Sequence, residues 1–93
     1  MKNQDAENIV ERMIRYYQEK GMAFTNNRLL VAAKLWELDE YVDAVDLWIL
    51  LKEEQCSISI GCVYLNLKLM VKLGLAYVKK EDRQFLFRIN PAA

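Results

Sequence analysis

"SISIGCVYLNLKLMVKLGLAYV", residues 57–78, reads as a polar lead-in, an amphipathic helix and the start of a strand. Ser59 is placed to cap the helix, whose free first-turn amides need an acceptor, and Gly74 is placed to stop it. Val63, Leu67, Met70 and Gly74 share one side at about 100° per residue, the stripe a core requires. Gly61, Tyr64, Leu65, Lys68 and Lys72 lie opposite or beside that stripe. Cys62, Leu65, Leu69 and Leu73 form a second apolar stripe within about 80°. After Gly74 the period changes. Leu75 and Tyr77, then Phe85, Phe87 and Ile89, alternate with other residues around the charged "KKEDRQ", so residues 75–89 read as a β-hairpin.

Upstream, Ile9, Val10, Met13, Ile14 and Tyr17 recur at helical spacing, and Gly21 supplies a stop. This is a helix over about 5–20. Thr25 caps a second helix over about 26–38, carrying Leu29, Leu30, Ala32, Ala33, Leu35 and Trp36. Tyr41-Val42 suits a short strand segment. Asp43 caps a third helix over about 44–54, with Val45, Trp48, Ile49 and Leu51 expected inside. The fourth helix covers about 60–73. The fold class is therefore mainly α with a small β-hairpin, in the order of a winged helix-turn-helix. In that fold the last helix enters the major groove and the wing follows the backbone. Winged helices also serve as protein-docking modules, so fold alone does not decide function.

Ninety-three residues with 54% hydrophobic content support one core and a single domain. No apolar run approaches the roughly eighteen residues of a membrane span. The polar, acidic N-terminus is unlike a secretory leader, so a soluble cytoplasmic protein is expected. The chain has no histidine. That removes the usual general base, and no nucleophile–base set or phosphate loop is visible, so an enzyme is not expected. Cys56 and Cys62 read as reduced thiols, at least one in or near the core. Alone they do not make a zinc site, which wants about four N/S ligands. No cofactor is expected.

Thirteen basic and thirteen acidic residues cancel overall, but not locally. Residues 34–54 carry two basic and seven acidic groups; residues 55–93 carry six basic and two acidic. A polarised surface follows unless opposite charges pair locally.

Gly21, Thr25 and Arg28 in "GMAFTNNRLLVAAKLWE" match the opening of a known pattern. Ala44 and Leu47 match its third helix; Ile58, Ser59, Val63 and Tyr64 match its fourth, and the run from Leu67 to Leu75 follows. Over about residues 10–89 the chain resembles the DNA-binding domain of the ferric uptake regulator (Fur) family. The resemblance implies a winged-helix transcriptional regulator, usually dimeric, that binds palindromic DNA. It implies a base contact by Tyr64 and a place near the DNA backbone for Arg28. Family members normally carry a second domain with metal ligands. This chain ends at Ala93, just past the wing, so metal sensing through those sites is not expected. Where the family commonly places an arginine beside the tyrosine, this chain has Leu65.

The candidate DNA-binding residues are Arg28, Ser59, Gly61, Tyr64, Lys68, Lys72, Lys79, Lys80 and Arg83. Ser59 and the amides around Ile60 suit a phosphate, because a helix N-terminus attracts anions. Gly61 permits close approach; Lys68 and Lys72, four apart, suit phosphates along one groove wall. Tyr64 can stack on a thymine methyl or, instead, be a half-buried aromatic at the junction with the second helix. The lysines can equally be a solvated face. The partner expected is double-stranded DNA. The alternative is a protein-interaction or homodimerisation module using Leu65 and Leu69, since an exposed apolar stripe marks partner surfaces.

Overall fold

The computed structural model describes residues 2–92, with side chains from Asn8 onward. Four helices and a small sheet follow in chain order. They are α1 (Lys2–Glu19), α2 (Asn26–Leu38), β1 (Val42–Asp43), α3 (Ala44–Glu53), α4 (Ile60–Lys72), β2 (Ala76–Glu81) and β3 (Gln84–Ile89). The sheet is antiparallel with order β1-β3-β2. This is the winged helix-turn-helix expected from the sequence.

The caps act where the sequence puts them. The side chains of Thr25, Asp43 and Ser59 accept from the amides of Arg28, Asp46 and Cys62, each three residues on. Each satisfies one of the orphan donors of a helix start. Gly74, at φ +76°, ends α4. There the amides of Gly74 and Leu75 reach back to the carbonyls of Val71 and Met70 at 3.0 and 2.8 Å. This left-handed exit favours glycine and turns the chain into the wing.

The core gathers one stripe from each helix and the base of the sheet. Met13, Val31, Leu35, Leu47, Leu51, Val63, Leu67, Met70 and Leu75 are fully buried, with Phe87 and Ile89 closing the sheet side. Two expectations change. α1 begins at Lys2 rather than Asp5, because the polar residues before the first apolar stripe carry no breaker. α3 turns a different face inward: Ala44, Leu47 and Leu51 are buried, while Val45 and Ile49 are 51% and 43% exposed. Asp43 is both the end of β1, paired with Leu86, and the cap of α3. That pairing fixes the rotation of the helix and sends Ala44 inward. Trp48 is half-buried.

The hairpin spans 76–89, close to the expected 75–89, but its strands run further and its turn is tighter than "KKEDRQ" suggests. Lys79, Lys80 and Glu81 belong to β2, and the connection is Asp82-Arg83 alone. Both have positive φ, 48° and 70°, as the two-residue turn that matches strand twist requires.

Candidate nucleic-acid interface

The entry to α4 is held from two other helices. The Trp48 indole of α3 donates to the Ile58 carbonyl at 2.9 Å, and the Asn27 amide of α2 donates to the Ser57 carbonyl at 3.2 Å. With Ser59 capping, the helix start is fixed in direction. A buried indole needs an acceptor, which was the only signal in the sequence for the Trp48 contact.

Around α4 the side chains divide into four directions. Val63, Leu67 and Met70 face the core. Gly61, Leu65, Lys68 and Lys72 lie roughly opposite, at about 100° per residue, and all four are exposed. Tyr64 and Val71 point to the wing side; Cys62, Asn66, Leu69 and Leu73 point to the α1 side. The outward ridge is thus two lysines with Leu65, at 68% exposure, between the lysines and Gly61.

Tyr64 is 38% exposed and meets Phe87 of β3 edge to face, with centroids 6.3 Å apart. Its buried side therefore packs on the wing, not at the junction with α2. Lys68 Nζ lies 5.5 Å from the Tyr64 ring centre, which orients the lysine along the same shoulder.

The wing separates its cations by strand alternation. Lys80 pairs with Phe85 and shares the face of Val78 and Phe87, which look toward Tyr64 and Lys68. Lys79 pairs with Leu86 on the other face; its ammonium lies 2.8 Å from Glu81 and 4.2 Å from the Tyr41 ring centre. Arg83 sits at the tip. Among the described residues, Lys68, Lys72, Lys80 and Arg83 make no ion pair, while Lys79 and Arg88 face Glu81 and Asp39. Local pairing therefore quenches part of the C-terminal positive charge and leaves four cations on α4 and the wing.

Arg28 sits beside the start of α4 rather than on its ridge. Its guanidinium lies 4.3 Å from the Tyr17 ring centre and donates to the Ala23 carbonyl. Arg28, Ser59, Gly61 and Leu65 line one groove of about 560 Å³, together with Tyr16, Tyr17, Met22, Cys62, Asn66 and Leu69. Leu69 is half-buried against the core, so the second apolar stripe is exposed mainly at Leu65.

Asn66, which the sequence reading did not single out, is the one buried polar side chain among the described residues. Its Oδ1 accepts from the Tyr17 hydroxyl at 3.3 Å and its Nδ2 donates to the Cys62 carbonyl at 2.8 Å. The Tyr17 hydroxyl is held above its ordinary acidity value by burial, opposed in part by the Arg28 charge. This pin joins α1 to α4 below the groove. At the other end, the Arg12 guanidinium donates to the Leu73 carbonyl at 2.7 Å.

Among the described residues, no group of three or more histidine, cysteine or carboxylate side chains is placed to hold an ion. Cys62 already accepts a contact from the Asn66 amide at 3.4 Å. Both cysteines are free thiols, half-buried. Among the described residues, no helix is long and apolar enough to cross a membrane.

A helix-turn-helix with an exposed last helix and a two-stranded wing defines the winged-helix class. The family model for the ferric uptake regulator family matches residues 19–92, and the chain belongs to that family. Solved structures agree in fold. Helicobacter pylori Fur, described as having three functional metal-binding sites, superposes with a TM-score of 0.81 at 19% identity, covering 90% of this chain and 57% of that one. Vibrio cholerae Fur gives 0.69 at 18%, covering 83% and 60%. PerR from Streptococcus pyogenes, described in terms of peroxide sensing and gene regulation, gives 0.73 at 22%, covering 90% and 56%. The chain thus spans a little over half the length of these proteins, and its four helices and three-stranded sheet match their winged-helix DNA-binding domain. A comparison with curated proteins gave no match.

Proposed function

We propose that this chain binds double-stranded DNA as the winged-helix part of a cytoplasmic transcriptional regulator, with no metal sensing of its own and no enzymatic activity. Residues 1–93 act as one winged-helix unit. The supporting observation is the placement of four cations on α4 and the wing that make no ion pair among the described residues. Lys68 and Lys72 lie on the outward ridge of α4, and Lys80 and Arg83 lie on the wing, in a chain of this family. Lys68 and Lys72 meet phosphates beside the groove, and Lys80 and Arg83 meet those along the wing. Tyr64 touches a base edge from the wing shoulder. Ser59 and Gly61 admit a phosphate to the start of α4, and Arg28 stands at the near backbone. Lys79 contributes least, since it faces away and is paired.

Fluorescence anisotropy with a Fur-type palindrome and a random duplex, over a salt series, tests this reading. Each phosphate neutralised should add about 0.9 to the downward slope of log affinity against log salt, so four contacts predict a slope near −3.6. A chelator should leave the curve unchanged. Absence of binding to either duplex at low salt removes the proposal.

The exposure of Leu65 supports a second reading, a homodimer or other protein contact through the same ridge. Sedimentation across concentration separates the two. A monomer unchanged by Leu65→Glu or Leu69→Glu rules out the protein contact.

A further inference from the structure

Resting on the DNA-binding reading, the outward ridge of α4 also says which bases it can distinguish. Hydrogen-bonded reading of a base edge is done best by arginine on guanine or by asparagine or glutamine on adenine. α4 has no arginine and no glutamine. Its single amide, Asn66, is buried at 3% exposure, with its oxygen on the Tyr17 hydroxyl and its nitrogen on the Cys62 carbonyl. It cannot turn to a base without breaking both bonds. Lys68 and Lys72 are flexible point charges suited to phosphates. Tyr64, 38% exposed, is set back on the wing shoulder against Phe87; what remains on the outward ridge itself is Leu65, two-thirds exposed, with Gly61 one turn before it. A Cβ at Gly61 would meet only Ser59 Oγ, at 3.9 Å, so the surface beside Leu65 is open to an approaching edge.

The major groove offers one apolar group, the C5 methyl of thymine. Leucine against that methyl removes apolar surface from water on both sides. Leucine against a guanine or cytosine edge instead covers polar groups and supplies no partner, which is costly. Attraction and penalty act in the same direction. We infer that Leu65 makes α4 a reader of thymine methyl groups, so the preferred DNA carries thymine where the ridge crosses the major groove.

The test compares short duplexes that differ in the methyl alone. One pair has mixed A·T sequence with thymine or with uracil; the other has mixed G·C sequence with 5-methylcytosine or with cytosine. Anisotropy of the wild-type chain should favour the methylated member of each pair by about fourfold for every methyl covered. Leu65→Ala should bring both ratios near one while leaving the salt slope unchanged; at such exposure the substitution spares the fold. Leu65→Arg should move preference toward the unmodified G·C duplex. Equal affinity for thymine and uracil duplexes, with binding still salt-dependent, overturns the methyl reading and leaves DNA binding standing. A thymine preference that survives in Leu65→Ala overturns the assignment to Leu65. No binding to any duplex at low salt removes both.

Discussion

Helix α4 is supported on two shoulders of different chemistry. On the α1 side a buried amide, a tyrosine hydroxyl and an arginine bond to the last turn tie it to its neighbour. On the wing side the contacts are apolar and open: Tyr64 leans on Phe87, while Val78 and Phe85 stay 42% and 47% exposed. Directional bonds on one side fix the rotation of the helix about its axis, which decides the residues that face outward. On the other side the base of the wing is buried at Phe87 and Ile89, and Asn90 holds the end of β3 to the Gly74 carbonyl at 2.9 Å, so only the outer part of the hairpin rests on open apolar contact.

The largest way to break this arrangement is to remove what both shoulders rest on. Leu67 is fully buried beneath α4. Leu67→Ala should cost about 2–5 kcal/mol, from lost burial and the cavity left behind. Urea unfolding followed by tryptophan fluorescence measures it, and a loss below about 1 kcal/mol would show that the core under α4 collapses freely.

A smaller change addresses the α1 shoulder alone. Tyr17→Phe keeps the ring beneath the Arg28 guanidinium but leaves the Asn66 oxygen buried and unpaired. That should cost about 1 kcal/mol, the low end for such a loss, since the bond it removes is long at 3.3 Å. The variant also has a signature in pH. The folded-state pKa of Tyr17 lies above the ordinary value of 10.0, because burial favours the neutral hydroxyl. Stability from this group is therefore complete below about pH 10 and is lost as pH rises through the folded value. Lys34, raised by its bonds to Glu54 and Glu37, acts with the same sign and remains in the variant. Alkaline unfolding should thus become shallower in Tyr17→Phe without disappearing. An identical alkaline profile would mean that Tyr17 is not held neutral by the fold.

The helices were legible in sequence because their punctuation is local. Thr25, Asp43 and Ser59 each act on an amide three residues away, and Gly21 and Gly74 each supply a left-handed exit. The inward face of α3 was not legible. "AVDLWILL" is apolar almost all round, so periodicity does not choose between Val45 and Ala44; a strand pairing forty residues downstream does. Asn66 was hidden for a related reason. Its spacing places it beside the core stripe, but its partner Tyr17 lies on another helix. A polar side chain on an apolar face was itself the clue, since buried polar groups are almost always paired. The division of Lys79 from Lys80 could have been taken from strand alternation, once the turn was known to be only two residues long. Which cations are quenched depends on Asp39 and Glu81, and only the fold brings Asp39 to Arg88.

The smallest expected effect sharpens the wing side, and its value lies in opposite signs. Arg83 occupies the turn at φ 70°, a conformation that costs a side chain energy and glycine almost none. Arg83→Gly relieves that cost but frees the unfolded chain, so the net gain in stability should not exceed about 1 kcal/mol. It also deletes one of the four cations that make no ion pair among the described residues. If the wing tip touches a phosphate, the salt slope of DNA binding should fall by about 0.9 while stability rises. A variant that is more stable and binds with the same slope would place the tip away from the backbone. Arg83→Lys then separates charge from turn geometry: it keeps the cation and the strain together, so it should restore the slope without the gain in stability. Neither variant should alter the alkaline behaviour set by Tyr17, because the turn lies on the shoulder that the Asn66 pin does not reach.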